Sequence, residues 1–150
     1  MVLCAKTVAL DSRLKLIMKC IFCEIIEGKK ESFKVWENHN FILLLVPEPI
    51  NLGHIILITK KHINYIFDLK EPLYSEIFRT AKKISSILKK ISKARRIGLA
   101  IEGFGVSHVH IHLVPVNKGN ELNPLRAKRM SGNELLKTQI SFLKKFKKLK

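Results

Sequence analysis

The stretch His108-Val109-His110-Ile111-His112-Leu113-Val114-Pro115 alternates imidazoles with aliphatic side chains. A period of two belongs to an extended strand, so the spacing predicts three histidines on one face and Val109, Ile111 and Leu113 on the other, against a core. Residues two apart on one strand face stand roughly 6.6 Å apart, from the rise per residue. Three rings so spaced cannot converge on one metal ion, but they can line a groove about as long as a phosphodiester. A lone strand histidine is ordinarily a half-exposed surface residue. Three in strict alternation, in a chain with only six histidines, are different. Each buried ring needs a hydrogen-bond partner, and core packing gains nothing from them. The stretch reads as a place where something polar binds.

Upstream of it, Ile97-Gly98-Leu99-Ala100-Ile101 predicts a strand, joined to the histidine strand through the Glu102-Gly103-Phe104-Gly105 loop. Before that, Leu73, Ile77, Ala81, Ile84, Leu88 and Ile91 recur at helical spacing from Pro72 to about Lys93, with lysines filling the other face. Pro72 fits a first turn, where its missing N–H costs nothing. Ser32–Glu37, Phe41–Val46 and Ile55–Ile58 predict three further strands; the second is apolar throughout and stopped by Pro47-Glu48-Pro49, and the third is opened by Gly53-His54. Cys20–Gly28 predicts a short helix closed by its glycine. Ser131 and Glu134 have capping-box spacing, opening a last helix whose apolar positions read as Leu136, Ile140, Leu143 and Phe146. Strands joined by short turns with one long helix inserted give an α+β fold, an antiparallel sheet of about five strands. There is no internal repeat.

A chain of 150 residues suits one domain, and 47% apolar with 27% charged residues is ordinary globular composition. No apolar run reaches the length of a membrane span. Met1–Leu10 lacks the basic start and long apolar stretch of a secretory signal, which favours a cytoplasmic protein. Residues 1–18 have no clear period and read as a leader ahead of a domain at 19–118, with a basic C-terminal extension at 119–150. The formal net charge is +16, which suits nucleotides, nucleic acid or an acidic membrane surface, unless the lysines merely solvate helices. From Arg126 to Lys150 there are nine Lys or Arg against one acid, Glu134. This tail offers counter-charge for weak contact with nucleic acid, without aromatic platforms to read bases; the other reading is a solvated helix face. Three cysteines make no disulfide framework, and Cys20-x-x-Cys23 reads as half a metal site or a redox pair.

Three strings occur in order: CIFCEIIEG at 20–28, GHIILITKKH at 53–62 and HVHIHLVP at 108–115. In these the sequence resembles the histidine triad (HIT) family, over about two-thirds of its length. The resemblance implies a HIT-like fold and a homodimer, the latter being no reading of the residues themselves. It also implies hydrolysis or transfer at the α-phosphate of a small nucleotide, an adenosine phosphoramidate or dinucleoside polyphosphate. By motif position, His110 would be the nucleophile that forms a nucleotidyl-histidine intermediate. His112 and His54 would flank it in positioning and electrostatic roles. Members with the N-terminal C-x-x-C bind structural zinc, which here implies Cys20, Cys23, His62 and His108 as ligands; the plain alternative is that Cys20 and Cys23 are small buried hydrophobes.

The departures concern the substrate. Val46 stands where most members place an Asp that holds the ribose, Phe104 where many place a Gln near the phosphates, and Ser107 where a Pro or aromatic is commoner. Phe22, Ile26, Leu44 and Ser107 are the expected substrate-binding residues, with Ile21 and Leu45 as further candidates for a purine pocket; an apolar stripe can equally be core. Cys4 and His39 match nothing in the family. The competing readings are a nucleic-acid-associated binding protein that works through its basic tail, and a deadenylase of damaged nucleic-acid ends. The sequence lacks the C-terminal Cys/His finger of the latter.

Overall fold

A computed structural model describes residues 20–147 and 149 of the chain; the predicted leader and Cys4 lie outside the described residues. Helix α1 (Ile21–Ile26) is followed by strands β1 (Lys34–Glu37), β2 (Phe41–Leu45) and β3 (Ile55–Thr59). Then come the long helix α2 (Leu73–Ser92), strands β4 (Arg96–Ala100) and β5 (His110–Val116), and helix α3 (Gly132–Phe146). The strands form one antiparallel sheet in the order β1-β2-β3-β5-β4. The expected α+β architecture is therefore the observed one.

Both faces of the central strands are covered, which is why β2 and β3 are buried at every position. One face carries Leu43, Leu45, Ile55, Leu57, Ile111 and Leu113, packed beneath Ile77, Ala81, Ile84 and Leu88 of α2. The other carries Ile42, Leu44, Ile56 and Ile58 and is capped by Cys20, Phe22 and Cys23 of the α1 turn. Register then decides where the imidazoles go. Ile56 pairs with His112 and Ile58 with His110, and cross-strand partners share a face. Both rings therefore stand on the α1 side of the sheet.

Two glycines are required by local geometry. Gly28 has φ +73° and ends α1 in a Schellman turn, with Lys29 N–H bonded to Glu24 O and Gly28 N–H to Ile25 O. Gly53 has φ +89°, and a Cβ there would stand 3.3 Å from Pro115 Cγ and 3.5 Å from the Phe142 ring. It delivers the chain into β3 with His54 on the opposite side.

The capping box of α3 forms as expected, Ser131 and Glu134 each accepting from or reaching back to the other. The core face of α3 differs from the expected one. Leu135, Phe142 and Phe146 are buried, whereas Leu136, Ile140 and Leu143 are about half exposed. Apolar residues cover a wide arc of this helix, so periodicity alone leaves the rotation open, and the sheet takes the side with the two phenylalanines. The extension is a packed part of the molecule: Gln139 donates to Lys34 O, Trp36 Nε1–H to Leu149 O, and Leu135, Phe142 and Phe146 join the main core.

This rotation makes a direct stability contrast. Phe142→Ala should cost about 3–5 kcal/mol in urea unfolding, and Ile140→Ala should stay within about 0.5 kcal/mol. Equal losses would place the helix in the other rotation.

Candidate active site and metal centre

The sequence brings four ligand-type side chains together at one end of β5. Sγ of Cys20 lies 3.3 Å from His108 Nδ1, and Sγ of Cys23 lies 3.1 Å from His62 Nδ1 and 3.7 Å from His108 Nδ1. All four ligand atoms fall within 4.8 Å of one another. A tetrahedron built on Zn–S of about 2.3 Å and Zn–N of about 2.0 Å has corners about 3.3–3.8 Å apart, so this spacing suits a single zinc ion. The imidazoles are oriented for it. His108 Nε2–H donates to Thr59 O at 2.7 Å, and His62 Nε2 is 2.8 Å from Asn64 Oδ1. Each bond leaves Nδ1 as a lone pair aimed at the thiols, the arrangement by which outer groups prepare a metal-binding histidine. Burial, reinforced by the neighbouring Cys20 thiol, pushes the Cys23 thiol up to about 12. A divalent cation would supply the charge that lets the Cys23 thiol ionise there. The donor set fits zinc.

The other two strand histidines and His54 form a second chain of bonds. His110 Nδ1–H donates to its neighbour's backbone, His108 O, at 2.6 Å. A carbonyl can only accept, so the tautomer is settled and Nε2 of His110 keeps its lone pair. At His54 the logic is reversed. Ile50 N–H donates to Nδ1 at 3.2 Å, which places the ring proton on Nε2, and that N–H faces His112 Nδ1 at 2.9 Å. His112 is thereby left with Nε2–H as a donor. The His110 and His112 rings are 4.9 Å apart, closer than the strand rise alone gives, because they tilt toward each other at 67°. A lone-pair nitrogen and an N–H donor thus stand side by side, as attack on a phosphoryl group and support of its oxygens require.

Burial keeps these rings neutral. It lowers His54 to about 3, helped by His112, and His112 to about 4, helped by His110. His110 is also lowered by burial, against its bond to His108 O and the charge of Glu102.

The expected substrate-binding residues divide. Phe22 stands edge-on to His110 with ring centres 5.1 Å apart. Leu44, with Ile26 against it, belongs to the apolar cluster on the same sheet face. Ser107 is exposed and lines a cavity of about 290 Å³ with Cys20, His62 and Asn64, on the metal side of the motif. Phe104 is almost fully exposed. Residues that spacing did not point to complete the site: Thr59 and Asn64 orient the metal-side rings, and the loop before His54 orients the other pair. That loop is itself strapped down by the extension. Lys128 N–H donates to Pro49 O, Met130 N–H to Pro47 O, and Arg126 to Asn51 Oδ1, while Asn51 Nδ2 donates to Pro115 O. Asn64, two residues after His62, was open to notice as a side-chain acceptor; backbone groups leave no sequence signal.

This fold and this grouping of histidines are those of one protein class. Residues 27–119 match the HIT domain. The chain belongs to the histidine triad family. An uncharacterised HIT-like protein of Borreliella burgdorferi is 30% identical over 119 residues, covering 69% of this chain and 86% of its own. An adenosine 5'-monophosphoramidase of Candida albicans is 32% identical over 108 residues, covering 64% of this chain and 69% of its own. A zinc-bound histidine triad family protein of Mycobacterium smegmatis has the same fold, with a TM-score of 0.72 at 22% identity over 88% of this chain and 96% of that one.

The lowered histidines set the sign of the pH dependence. In the unfolded chain they titrate near 6.5. As pH falls below that value the unfolded chain binds protons that the folded His54–His112 pair refuses, so stability is full above pH 6.5 and declines toward pH 4. Urea midpoints measured from pH 7.5 down to 5 should fall, and His54→Gln should flatten part of that slope. A midpoint that rises on acidification would contradict the neutral pair.

Proposed function

We propose that the chain is a nucleotide hydrolase or nucleotidyltransferase of the histidine triad type, cleaving at the α-phosphate of an adenosine phosphoramidate or a dinucleoside polyphosphate. The observation that carries this reading is the bond from His110 Nδ1–H to His108 O, which leaves Nε2 unprotonated. Nε2 attacks the α-phosphorus; a P–N bond forms as the bond to the leaving amine or phosphate breaks, and the leaving group takes up a proton. Water then attacks the same phosphorus, the P–N bond breaks, and the nucleoside monophosphate departs with the ring restored. His112 Nε2–H supports a non-bridging oxygen as charge builds there, and His54 holds His112 in the donor tautomer. Phe22, Ile26 and Leu44 supply an apolar surface for the base; Ser107, beside the metal ligands, meets only the outer end of a substrate.

Zinc in this reading is structural. Cys20, Cys23, His62 and His108 would hold it, and the bridge would tie the α1 turn to the segment entering β5, where Phe22 stands against His110. Buried free thiols at Cys20 and Cys23 suit a reducing compartment such as the cytoplasm. The open edge of β4, where Leu99 is 44% exposed, suits pairing with a second copy into a homodimer. Support for the activity also comes from the similarity to the Candida albicans protein named as an adenosine 5'-monophosphoramidase.

Release of AMP from an adenosine phosphoramidate should fall at least about a thousandfold in His110→Ala, the scale expected when a covalent nucleophile is removed. Full turnover in that variant would end the covalent scheme. For the metal, plasma emission spectrometry should find close to one zinc per chain, dropping to near none in the double variant Cys20→Ala with Cys23→Ala. Unchanged zinc would refute the ligand set.

A further inference from the structure

The charge of the chain is segregated. Residues 77–150 hold eighteen of the 28 Lys and Arg but only three of the 12 acids. Six of these cations line three adjoining cavities on the side away from the histidines. Arg95, Arg96 and Lys118 line the first, of about 370 Å³. Lys137 lines the second, of about 560 Å³, together with Ser92, Thr138 and Ser141. Lys90 and Lys145 line the third, of about 360 Å³. The first two share Asn117 and the last two share Ile91, so the three follow one another as a track from the start of β4 and the end of β5 along the C-terminal end of α2 and the flank of α3. The one acid in its wall, Glu121, accepts from the backbone N–H groups of Asn117 and Lys118 and lies 3.6 Å from Arg126. Its charge is spent within the wall.

We propose that this groove binds the phosphodiester backbone of single-stranded nucleic acid. Cations spaced along a concave track suit a flexible polymer of phosphates. Between them, the Asn117 amide and the Ser141 hydroxyl suit phosphate and sugar oxygens, while Ser92 and Thr138 spend their hydroxyl protons on Leu88 O and Glu134 O. No aromatic ring other than Phe142, itself buried, lines the three cavities, so the groove recognises backbone and not bases. A membrane is the poorer match. A flat bilayer does not enter a groove, and at 100° per residue the exposed Leu136, Ile140 and Leu143 lie 100° or more round the helix from Ser141 and Lys145, with Lys137 at the margin between the two arcs. Gly53, Pro115 and Phe142 floor the groove on the α2 face of the sheet, while His110 and His112 stand on the other. Polymer in the groove leaves the histidines accessible, so the binding does not depend on the enzymatic reading.

The test is fluorescence anisotropy with a labelled oligouridylate of about 20 nucleotides and the full chain. Affinity should fall about a hundredfold between roughly 50 and 200 mM salt if about five phosphates are neutralised. Oligoadenylate should bind within about threefold of oligouridylate, because bases are not read. Arg95→Glu with Lys118→Glu should weaken binding five- to twentyfold and flatten the salt dependence, with AMP release retained. Lys30→Glu with Lys70→Glu, an equal change of net charge away from the groove, should change affinity less than about threefold. Lys137→Glu with Lys145→Glu provides an independent groove variant should the first fold poorly. Equal losses from groove and control variants would show diffuse attraction and overturn the proposal. So would salt-insensitive binding, or binding to phosphatidylglycerol vesicles with none to RNA. His110→Ala should bind RNA as the parent does while losing turnover, so failure of either reading is seen apart from the other.

Discussion

Everything at this site follows from backbone groups deciding where imidazole protons sit. Thr59 O takes the Nε2 proton of His108, His108 O takes the Nδ1 proton of His110, and Ile50 N–H claims Nδ1 of His54. Neighbouring rings on or beside one strand are thereby given different chemistry: a lone pair at Nδ1 facing the thiols, a free lone pair at Nε2, and a donor held by its neighbour. A buried ring left without these partners would cost free energy, and one with the wrong tautomer would point a proton where a lone pair is needed. Thr59 O belongs to the end of β3, and His108 O and Ile50 N–H belong to the segments that lead into β5 and β3.

The sheet supports this by division of labour between its faces. The α2 face is aliphatic and closed over by Ile77, Ala81, Ile84 and Leu88, so the strands are fixed from behind. The α1 face is partly polar and is covered by only a six-residue helix. Such a cover is held weakly by packing, and the Cys20–Cys23–His62–His108 cluster lies where a metal bridge would fasten it. The C-terminal extension contributes from a third direction, pinning the Pro47–Asn51 loop ahead of His54. The histidine chain, the thiol–imidazole cluster and a terminal strap thus converge on two loops and one strand.

Much of this was legible in the residues. The alternation at 108–115 placed His110 and His112 on one face because a strand leaves no other option, and the heptad-like run from Leu73 to Ile91 placed the long helix. The four metal-type residues followed from three motifs in family order, and they meet in space. The rotation of α3 was not legible: Leu136, Ile140 and Leu143 have the same spacing as a true core stripe, and only the fit of Phe142 beside Gly53 and Pro115 decides against them. Ser107 precedes the strand and lines a cavity together with His62 and Asn64, a neighbourhood that strand periodicity does not reach. The tautomers were invisible to pattern, since Thr59, His108 and Ile50 act through atoms every residue has.

The central claim is therefore about protons on rings, and nitrogen-detected NMR of the imidazoles measures them directly. In long-range ¹⁵N–¹H correlation spectra at pH 7, His110 should be neutral with its proton on Nδ1, and His54 and His112 neutral with theirs on Nε2. A His110 ring protonated at Nε2, as a neutral ring or as an imidazolium, would contradict the account.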